Sequence, residues 1–321
     1  LKVEEIRAIG VIGAGLMGHG IAQVFALKRY KVKLFDNDPN VLQSAPEKIH
    51  NNLQTLLEMH LVEPQEIEDC LNHLQLCHTL PEMCEGVELT IEAVSENVDL
   101  KRAIFLELER LTPPQTILCS NTSGISIGLI SEKLQFKERV VGTHFWNPPH
   151  IVPCVEVIKS QFADDEVFHT VIELMERVGK KPVQVLKDIP GFLGNRLQHA
   201  LWREAISLVE KGIATPEDID RVVKYGFGLR LSFIGPLETA DLAGLDLVYD
   251  IHKYLFSDLE NRSTPSPLLK TLVDQKATGV KAKKGFYHWT DERIKQIIQQ
   301  RDKALLKITE VIKGLNRENK Q

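Results

Sequence analysis

The sequence predicts an α/β fold, an open doubly wound sheet of mostly parallel strands, followed by an all-helical C-terminal domain. Three observations predict it. An apolar strand near the N-terminus runs straight into a glycine-rich turn and a helix. Short apolar strands then alternate with amphipathic helices, and beyond Ile189 the pattern changes to long helices alone.

Taken in order, residues 8–12 form a wholly apolar strand that leads into Gly13-Ala14-Gly15-Leu16-Met17-Gly18, with residues 21–26 continuing as helix. Each glycine of this Rossmann-like fingerprint has its own physical task. Gly13 permits the tight turn, Gly15 lets a pyrophosphate approach the backbone, and Gly18 lets helix and strand pack closely. The phosphates then meet free N–H groups at the helix N-terminus, which Leu16 and Met17 lead into. A second strand, residues 32–35, ends in Asp36, placed about 20 residues on, where the adenosine ribose hydroxyls arrive. Asn37 and Asp38 bring no arginine for a 2′-phosphate, so NAD is favoured over NADP. FAD is the rival cofactor, and a glycine-rich turn without nucleotide is the plain alternative.

Residues 39–59 and 64–74 read as helices, and residues 87–94 as a strand with a polar exit at Ser95-Glu96-Asn97. A helix over 100–111 precedes a strand over 116–119 that ends in Ser120-Asn121-Thr122-Ser123. Residues 140–144 form another strand, which delivers His144 at its end. Ligands of open parallel sheets gather at the carboxyl ends of the strands, and Glu96, Asn121, Ser123 and His144 all fall at such ends. Singly, each reads as a cap or turn residue; together they mark a site.

After His144 comes Phe145-Trp146-Asn147-Pro148-Pro149, where proline fixes φ and cannot extend a ladder, so the chain must turn. Residues 151–158 are β-branched and strand-like, with one acid, Glu156, among apolar neighbours. If the chain doubles back at the prolines, Glu156 comes beside the His144 ring. A carboxylate there sets the imidazole tautomer and supports its protonated form, as a general acid/base near neutral pH requires. The segment alone equally allows a strand-end histidine and a structural glutamate.

A last strand over 181–185 and the punctuation Asp188-Ile189-Pro190-Gly191 close the first domain, so the boundary is expected at 189, giving domains 1–189 and 190–321. Residues 193–211 then show helical spacing, with Asn195 in the first turn and able to reach back towards the site. Thr215-Pro216-Glu217-Asp218 starts a further helix. Residues 291–321 read as a charged helix with an apolar stripe at Ile294, Ile297, Ile298, Leu305, Ile308, Ile312 and Leu315, suited to packing or a dimer contact.

Composition narrows the function. A chain of 321 residues with 43% apolar and 26% charged residues is ordinary for a globular protein of two domains. A net charge of −5 argues against a nucleic-acid partner. Five cysteines without a CxxC pair suit a reducing compartment and neither a disulfide framework nor a zinc site, so no metal is expected. No apolar run approaches the roughly 20 residues of a membrane span, and the N-terminus lacks a signal-peptide layout. A cytoplasmic protein acting on a small molecule, with no nucleic-acid or membrane partner, is the expectation.

The chain resembles the NAD-dependent L-3-hydroxyacyl-CoA dehydrogenase family, which includes the hydroxybutyryl-CoA dehydrogenases, over nearly its whole length. The matching blocks are the glycine fingerprint, Glu96-Asn97, Ser120–Ser123, His144-Phe145-Trp146-Asn147-Pro148 with Val155-Glu156-Val157, and Pro190-Gly191-Phe192-Leu193-Gly194-Asn195-Arg196-Leu197. Gly244-Leu245-Asp246 and Lys284-Gly285-Phe286-Tyr287 follow. The resemblance implies that His144 is the acid/base on the substrate hydroxyl, that Glu156 orients it, and that Ser123 and Asn195 hydrogen-bond the reacting oxygen. It implies that Asp36 holds the adenosine ribose, that Glu96 and Lys101 approach the nicotinamide ribose, and that the helical domain forms a homodimer.

Two departures complicate the substrate. Family members that use coenzyme A hold its nucleotide end with a serine and a lysine, where this chain has Asn52 and Met59, and no Lys or Arg occurs from 49 to 100. The run Gly228-Leu229-Arg230-Leu231-Ser232-Phe233-Ile234-Gly235-Pro236-Leu237-Glu238-Thr239 resembles the lambda-crystallin branch, with its L-gulonate 3-dehydrogenases, and the carnitine dehydrogenases. Arg230 there could clamp a free carboxylate bidentately; a surface arginine is the plain alternative. The expected reaction is oxidation of an L-3-hydroxyacyl-CoA to the 3-oxoacyl-CoA, and its reverse. A dehydrogenase of a free 3-hydroxy acid is the second reading, and a non-catalytic crystallin-like nucleotide binder the third.

Overall fold

Eight strands form one sheet in the computed structural model, which describes residues 1–318. They are β1 (Ala8–Ile12), β2 (Lys31–Phe35), β3 (Leu74–Cys77), β4 (Leu89–Glu92), β5 (Ile117–Ser120), β6 (Val140–Phe145), β7 (Cys154–Ile158) and β8 (Lys181–Val185). Their order is β3-β2-β1-β4-β5-β6-β7-β8. The first six run parallel, β7 is antiparallel to β6, and β8 is parallel to β7. Strands β1, β4, β5 and β6 are buried along their whole length, which explains why they read as nearly unbroken apolar runs.

Helices α1 (Gly18–Ala26), α2 (Pro39–Glu58), α3 (Pro64–Asn72), α4 (Leu80–Cys84), α5 (Val98–Leu111), α6 (Ile127–Ser131) and α7 (Asp165–Arg177) connect these strands. The core beneath them includes Phe105, Leu108, Leu118, Ile127, Val140, Ile158 and Phe192. Chain direction diverges between β1, which leads to β2 on one side, and β4, which leads to β5 on the other. The exits of β1 and β4 therefore flank the crevice where such sheets bind ligands.

Two local readings need correction. The helix expected to reach Leu74 stops at Asn72, and Leu74-Gln75-Leu76-Cys77 becomes edge strand β3, followed by the unforeseen α4. Four residues of alternating burial are too few for a periodic signal. Strand β7 starts at Cys154 and not at 151, because the Ile151 and Val152 N–H groups both donate to the Pro148 carbonyl and close the turn. The peptide bond between Asn147 and Pro148 is cis.

The chain divides into two compact units, Leu1–Arg196 and the remainder from Leu197. Residues 190–196 stay with the sheet unit because Leu193, Gly194 and Asn195 hydrogen-bond into it. Among the described residues the second unit is built of helices, with only the isolated bridges Gly279–Lys284 and Lys284–His288 besides them. Helix α8 (Gly194–Glu210) leads into it, followed by α9 (Pro216–Tyr225), α10 (Phe227–Arg230), α11 (Pro236–Ala243), α12 (Leu245–Leu255), α13 (Pro267–Asp274) and α14 (Asp291–Glu318). In α14 the expected stripe is half-buried at Ile294, Leu305, Ile308 and Ile312 and exposed at Ile297, Ile298 and Leu315. Residues 319–321, where that helix was expected to end, lie outside the described residues.

Candidate active site

The nucleotide loop follows β1. Gly13 has φ of 94°, a region that only glycine adopts without strain, and a Cβ there would come within 2.6 Å of the Ala93 carbonyl oxygen. A Cβ on Gly18 would stand 1.6 Å from the Gly13 carbonyl oxygen, so helix α1 can start against this turn only with glycine. Gly15 is the opposite case, with nothing within 4 Å of where its Cβ would project. That open face is the cradle a pyrophosphate needs, and Leu16, 70% exposed, stands beside it. Met17 takes the N-cap position of α1.

Asp36 sits at the exit of β2. Its Oδ2 accepts the Ala14 N–H at 2.7 Å and its Oδ1 the Asp38 N–H at 2.9 Å, so it shapes the loop as well as offering oxygens to a ribose. His19, which the sequence did not single out, donates from Nδ1 to the Gly15 carbonyl at 2.6 Å. Burial pushes its pKa below the usual histidine value, although the bond to Gly15 opposes the shift.

His144 and Glu156 stand directly opposite each other across β6 and β7. Cross-strand partners share a face of the sheet, so the register itself brings the side chains together. His144 Nδ1 lies 2.8 Å from Glu156 Oε2, with the two residues 5% and 2% exposed. An ionised carboxylate only accepts, so Nδ1 carries the hydrogen and Nε2 keeps its lone pair. The imidazole is packed by Trp146 and Phe192, with ring centroids 5.3 and 5.9 Å away.

Glu156 has further donors. Its Oε1 accepts the N–H groups of Leu193 and Gly194, both at 2.9 Å, at the start of α8. Burial alone would raise its carboxyl, but the bonds from His144, Gly194 and Leu193 outweigh burial and hold it below the usual carboxylate range. Phe192 reaches this arrangement through a left-handed backbone, φ 51°, unusual for an aromatic residue and located at the site. Three residues on, Asn195 donates from Nδ2 to the Ser123 carbonyl at 2.6 Å. One hydrogen-bonded series thus joins Ser123, Asn195, the α8 start, Glu156 and His144.

The remaining sequence candidates differ in what they face. Glu96 Oε1 accepts Thr122 Oγ1 at 2.6 Å and the Ser123 N–H at 2.9 Å, so it holds the Ser123 loop. Lys101 is 1% exposed, with Nζ 2.7 Å from Glu92 Oε1 and 3.4 Å from Glu96 Oε2. It stands behind Glu96, and its burial follows from that ion pair. Asn121 is buried, and its Oδ1 accepts the Phe145 N–H at 2.8 Å, pinning the end of β6 beside His144. Arg230 is an exposed residue ending the short helix α10 in the second unit.

Sequence reasoning missed Glu92 and the Leu193 and Gly194 amides. An acid inside an apolar strand was the available signal for Glu92, since a buried carboxylate demands partners. Backbone donors leave no side-chain signal.

A glycine cradle at the switch point of a parallel sheet, and a carboxylate-backed histidine at a neighbouring strand end, define an NAD-dependent oxidoreductase. Residues 8–189 match the 3-hydroxyacyl-CoA dehydrogenase NAD-binding domain and residues 191–289 its C-terminal domain, and the chain belongs to the 3-hydroxyacyl-CoA dehydrogenase family. It is 32% identical to 5-formyl-3-hydroxy-2-methylpyridine 4-carboxylate 5-dehydrogenase of Mesorhizobium japonicum, over 96% of this chain and 99% of that one. A crystal structure of an enzyme of that name superposes with a TM-score of 0.90, over 96% of this chain and 99% of the other. A probable 3-hydroxybutyryl-CoA dehydrogenase of Bacillus subtilis is 36% identical over 90% of this chain and 99% of its own. Lambda-crystallin of Oryctolagus cuniculus is 36% identical over 72% of this chain and 73% of its own.

Proposed function

We propose that this chain oxidises the hydroxyl of a 3-hydroxy carbonyl substrate to the 3-oxo compound, and runs the reverse reaction. The His144–Glu156 pair carries the reading. His144 Nε2 takes the hydroxyl proton, and the Nδ1 hydrogen bond to Glu156 stabilises the imidazolium that results. Ser123 and Asn195, tied to each other, supply hydrogen bonds to the reacting oxygen, where negative charge gathers. The Gly13–Gly18 turn and Asp36 would hold NAD, which would supply the acceptor for the hydride leaving the same carbon. Glu96, Lys101 and Asn121 shape the floor of the site through the loops they hold.

Of the two substrate classes, a free hydroxy acid has the more specific support. Asn52, where coenzyme A users have serine, donates from Nδ2 to Gln23 Oε1 at 2.9 Å, and Met59 only caps the end of α2. With no Lys or Arg from 49 to 100, a 3′-phosphate and pyrophosphate find no cation along α3, or along α2 beyond Lys48. The relative matched over 96% of this chain is named for a pyridine carboxylate. The thioester reading is favoured by the family and by the Bacillus relative. Comparing kcat/KM for 3-hydroxybutyrate and its CoA thioester, before and after Arg230→Ala, decides between them. A strong preference for the thioester with a silent substitution removes the free acid and the proposed Arg230 clamp together. Absence of turnover with every hydroxy substrate, with NAD still bound, leaves the crystallin-like binder.

A homodimer through the helical unit is part of the proposal. Among the described residues beyond 196 only Ser207, Ala277 and Leu306 are buried, while Tyr225, Leu237 and Leu242 are each about four-fifths exposed. An apolar-walled cavity of 680 Å³ lies between α8, α9 and residues 260–266. Helices this exposed need a partner surface. Sedimentation equilibrium at a single-chain mass would remove the dimer. Among the described residues no helix is long and apolar enough to cross a membrane, and five unpaired cysteines support a cytoplasmic setting.

A further inference from the structure

We propose that Glu92 is a positioning residue that aims the Ser120–Ser123 loop at the reacting oxygen; the inference rests on the role of Ser123 proposed above. Glu92 ends β4, fully buried, and stands opposite Ser120 in the register of β4 and β5. Two routes lead from its carboxylate to one loop. Through Oε2 it accepts Ser120 Oγ at 2.7 Å, and that same hydroxyl oxygen accepts the Thr122 N–H at 3.3 Å. Through Oε1 it holds Lys101 Nζ at 2.7 Å, which reaches Glu96, whose Oε1 accepts Thr122 Oγ1 and the Ser123 N–H. Its remaining bond, from the Val94 N–H at 2.8 Å, fixes the exit of β4, where Ala93 presses against Gly13.

The charge arrangement explains why two acids flank one lysine. Lys101 cannot reach water, so its ammonium needs a carboxylate in contact. Glu92 fills that need at 2.7 Å and leaves Glu96 at 3.4 Å, half-exposed, free to hold Ser123 with its other oxygen. Without the Glu92 charge, Glu96 becomes the sole counter-ion of a buried cation and is drawn off Thr122 and Ser123. Stability does not require the pair, because a desolvated ion pair can be replaced by apolar groups of similar volume with little loss of fold. What apolar groups cannot replace is the direction imposed on the loop.

The test uses Glu92→Gln and the double variant Glu92→Met/Lys101→Met, with amide hydrogen exchange read residue by residue in the intact protein. Exchange at Thr122 and Ser123 is expected to quicken in Glu92→Gln, and at Thr122 in the double variant, where the Ser120 route is lost but no cation remains to draw Glu96 off Ser123, while Leu118 and Cys119 in β5 stay at wild-type rates. In the double variant the melting temperature should fall only by the cost of leaving the Ser120 hydroxyl and the Val94 N–H without an acceptor, while kcat falls about 10- to 100-fold. A merely structural role would loosen all of β5 together. Unchanged exchange at Thr122 and Ser123, uniform loosening of β5, or a double variant that fails to fold each overturns the proposal. If wild-type protein turns over no hydroxy substrate, the dehydrogenase reading fails, and the exchange rates still decide whether Glu92 holds the loop.

Discussion

Exchanging Glu156 for glutamine alters the dyad with almost no change of shape. The wild-type carboxylate accepts three hydrogen bonds, at 2.8 Å from His144 and 2.9 Å from each of Leu193 and Gly194. The two backbone N–H groups can only donate, so they will hold the carbonyl oxygen of the new side chain. Its amide nitrogen then faces His144 Nδ1 and must also donate. Nδ1 is forced to accept, the ring hydrogen moves to Nε2, and the atom that should take the substrate proton is blocked. Loss of the charge-assisted bond alone is worth about 1.5–3 kcal/mol. Tautomer inversion adds to it; the same exchange in a Ser-His-Asp triad lowers kcat by about 10⁴. A fall in kcat of about 10²- to 10⁴-fold is expected, followed by NADH absorbance with a substrate that wild type oxidises. NAD affinity, read by tryptophan quenching, should stay near wild type, because the nucleotide loop leaves a different strand. A variant with kcat within about threefold of wild type would refute the dyad as the proton-transfer device.

Three further outcomes are expected. Gly15→Ala should fold with an unchanged melting temperature yet lose NAD binding, since its Cβ enters only open space, whereas Gly18→Ala should disturb the loop itself, 1.6 Å being far inside contact; equal melting losses in both would contradict the cradle. Asp36→Ala should weaken NAD by about tenfold or more, having lost both the ribose acceptor and the bond to Ala14, and calorimetric titration of the two proteins checks it. Glu156 titrates below its ordinary value of 4.5, so its stabilising contribution is complete above that pH and is lost as pH falls through the lower folded value. Acid unfolding curves should therefore be steeper for wild type than for Glu156→Gln below that pH, and parallel curves would show that the carboxylate is not held down.

Much of the site was legible because its chemistry is local. The strand, glycines and helix from Ala8 to Ala26 lie within one supersecondary unit, and strand β1 and the Asp36 position follow from apolar runs and their ends. The His144–Glu156 pair was foreseeable because two prolines force a reversal and antiparallel strands place opposed residues on one face. Glu92 was not, since an acid at the end of an apolar strand looks the same in sequence whether it is buried and paired or exposed. Lys101 was assigned to the cofactor by resemblance alone, and its burial behind Glu96 depends on how α5 lies against β4 and β5.

Local pattern was enough for the fold class and the glycine-rich loop, and it offered the contact of His144 with Glu156 as one of two open readings, because steric and hydrogen-bonding demands act between near neighbours in the chain. Folding in three dimensions decided which acid holds Lys101, which amides reach Glu156, and how Asn195 ties to Ser123, 72 positions away. Those contacts join remote segments through backbone groups and buried charges. Their partners are selected by desolvation and packing, and neither leaves a periodic trace in the order of residues.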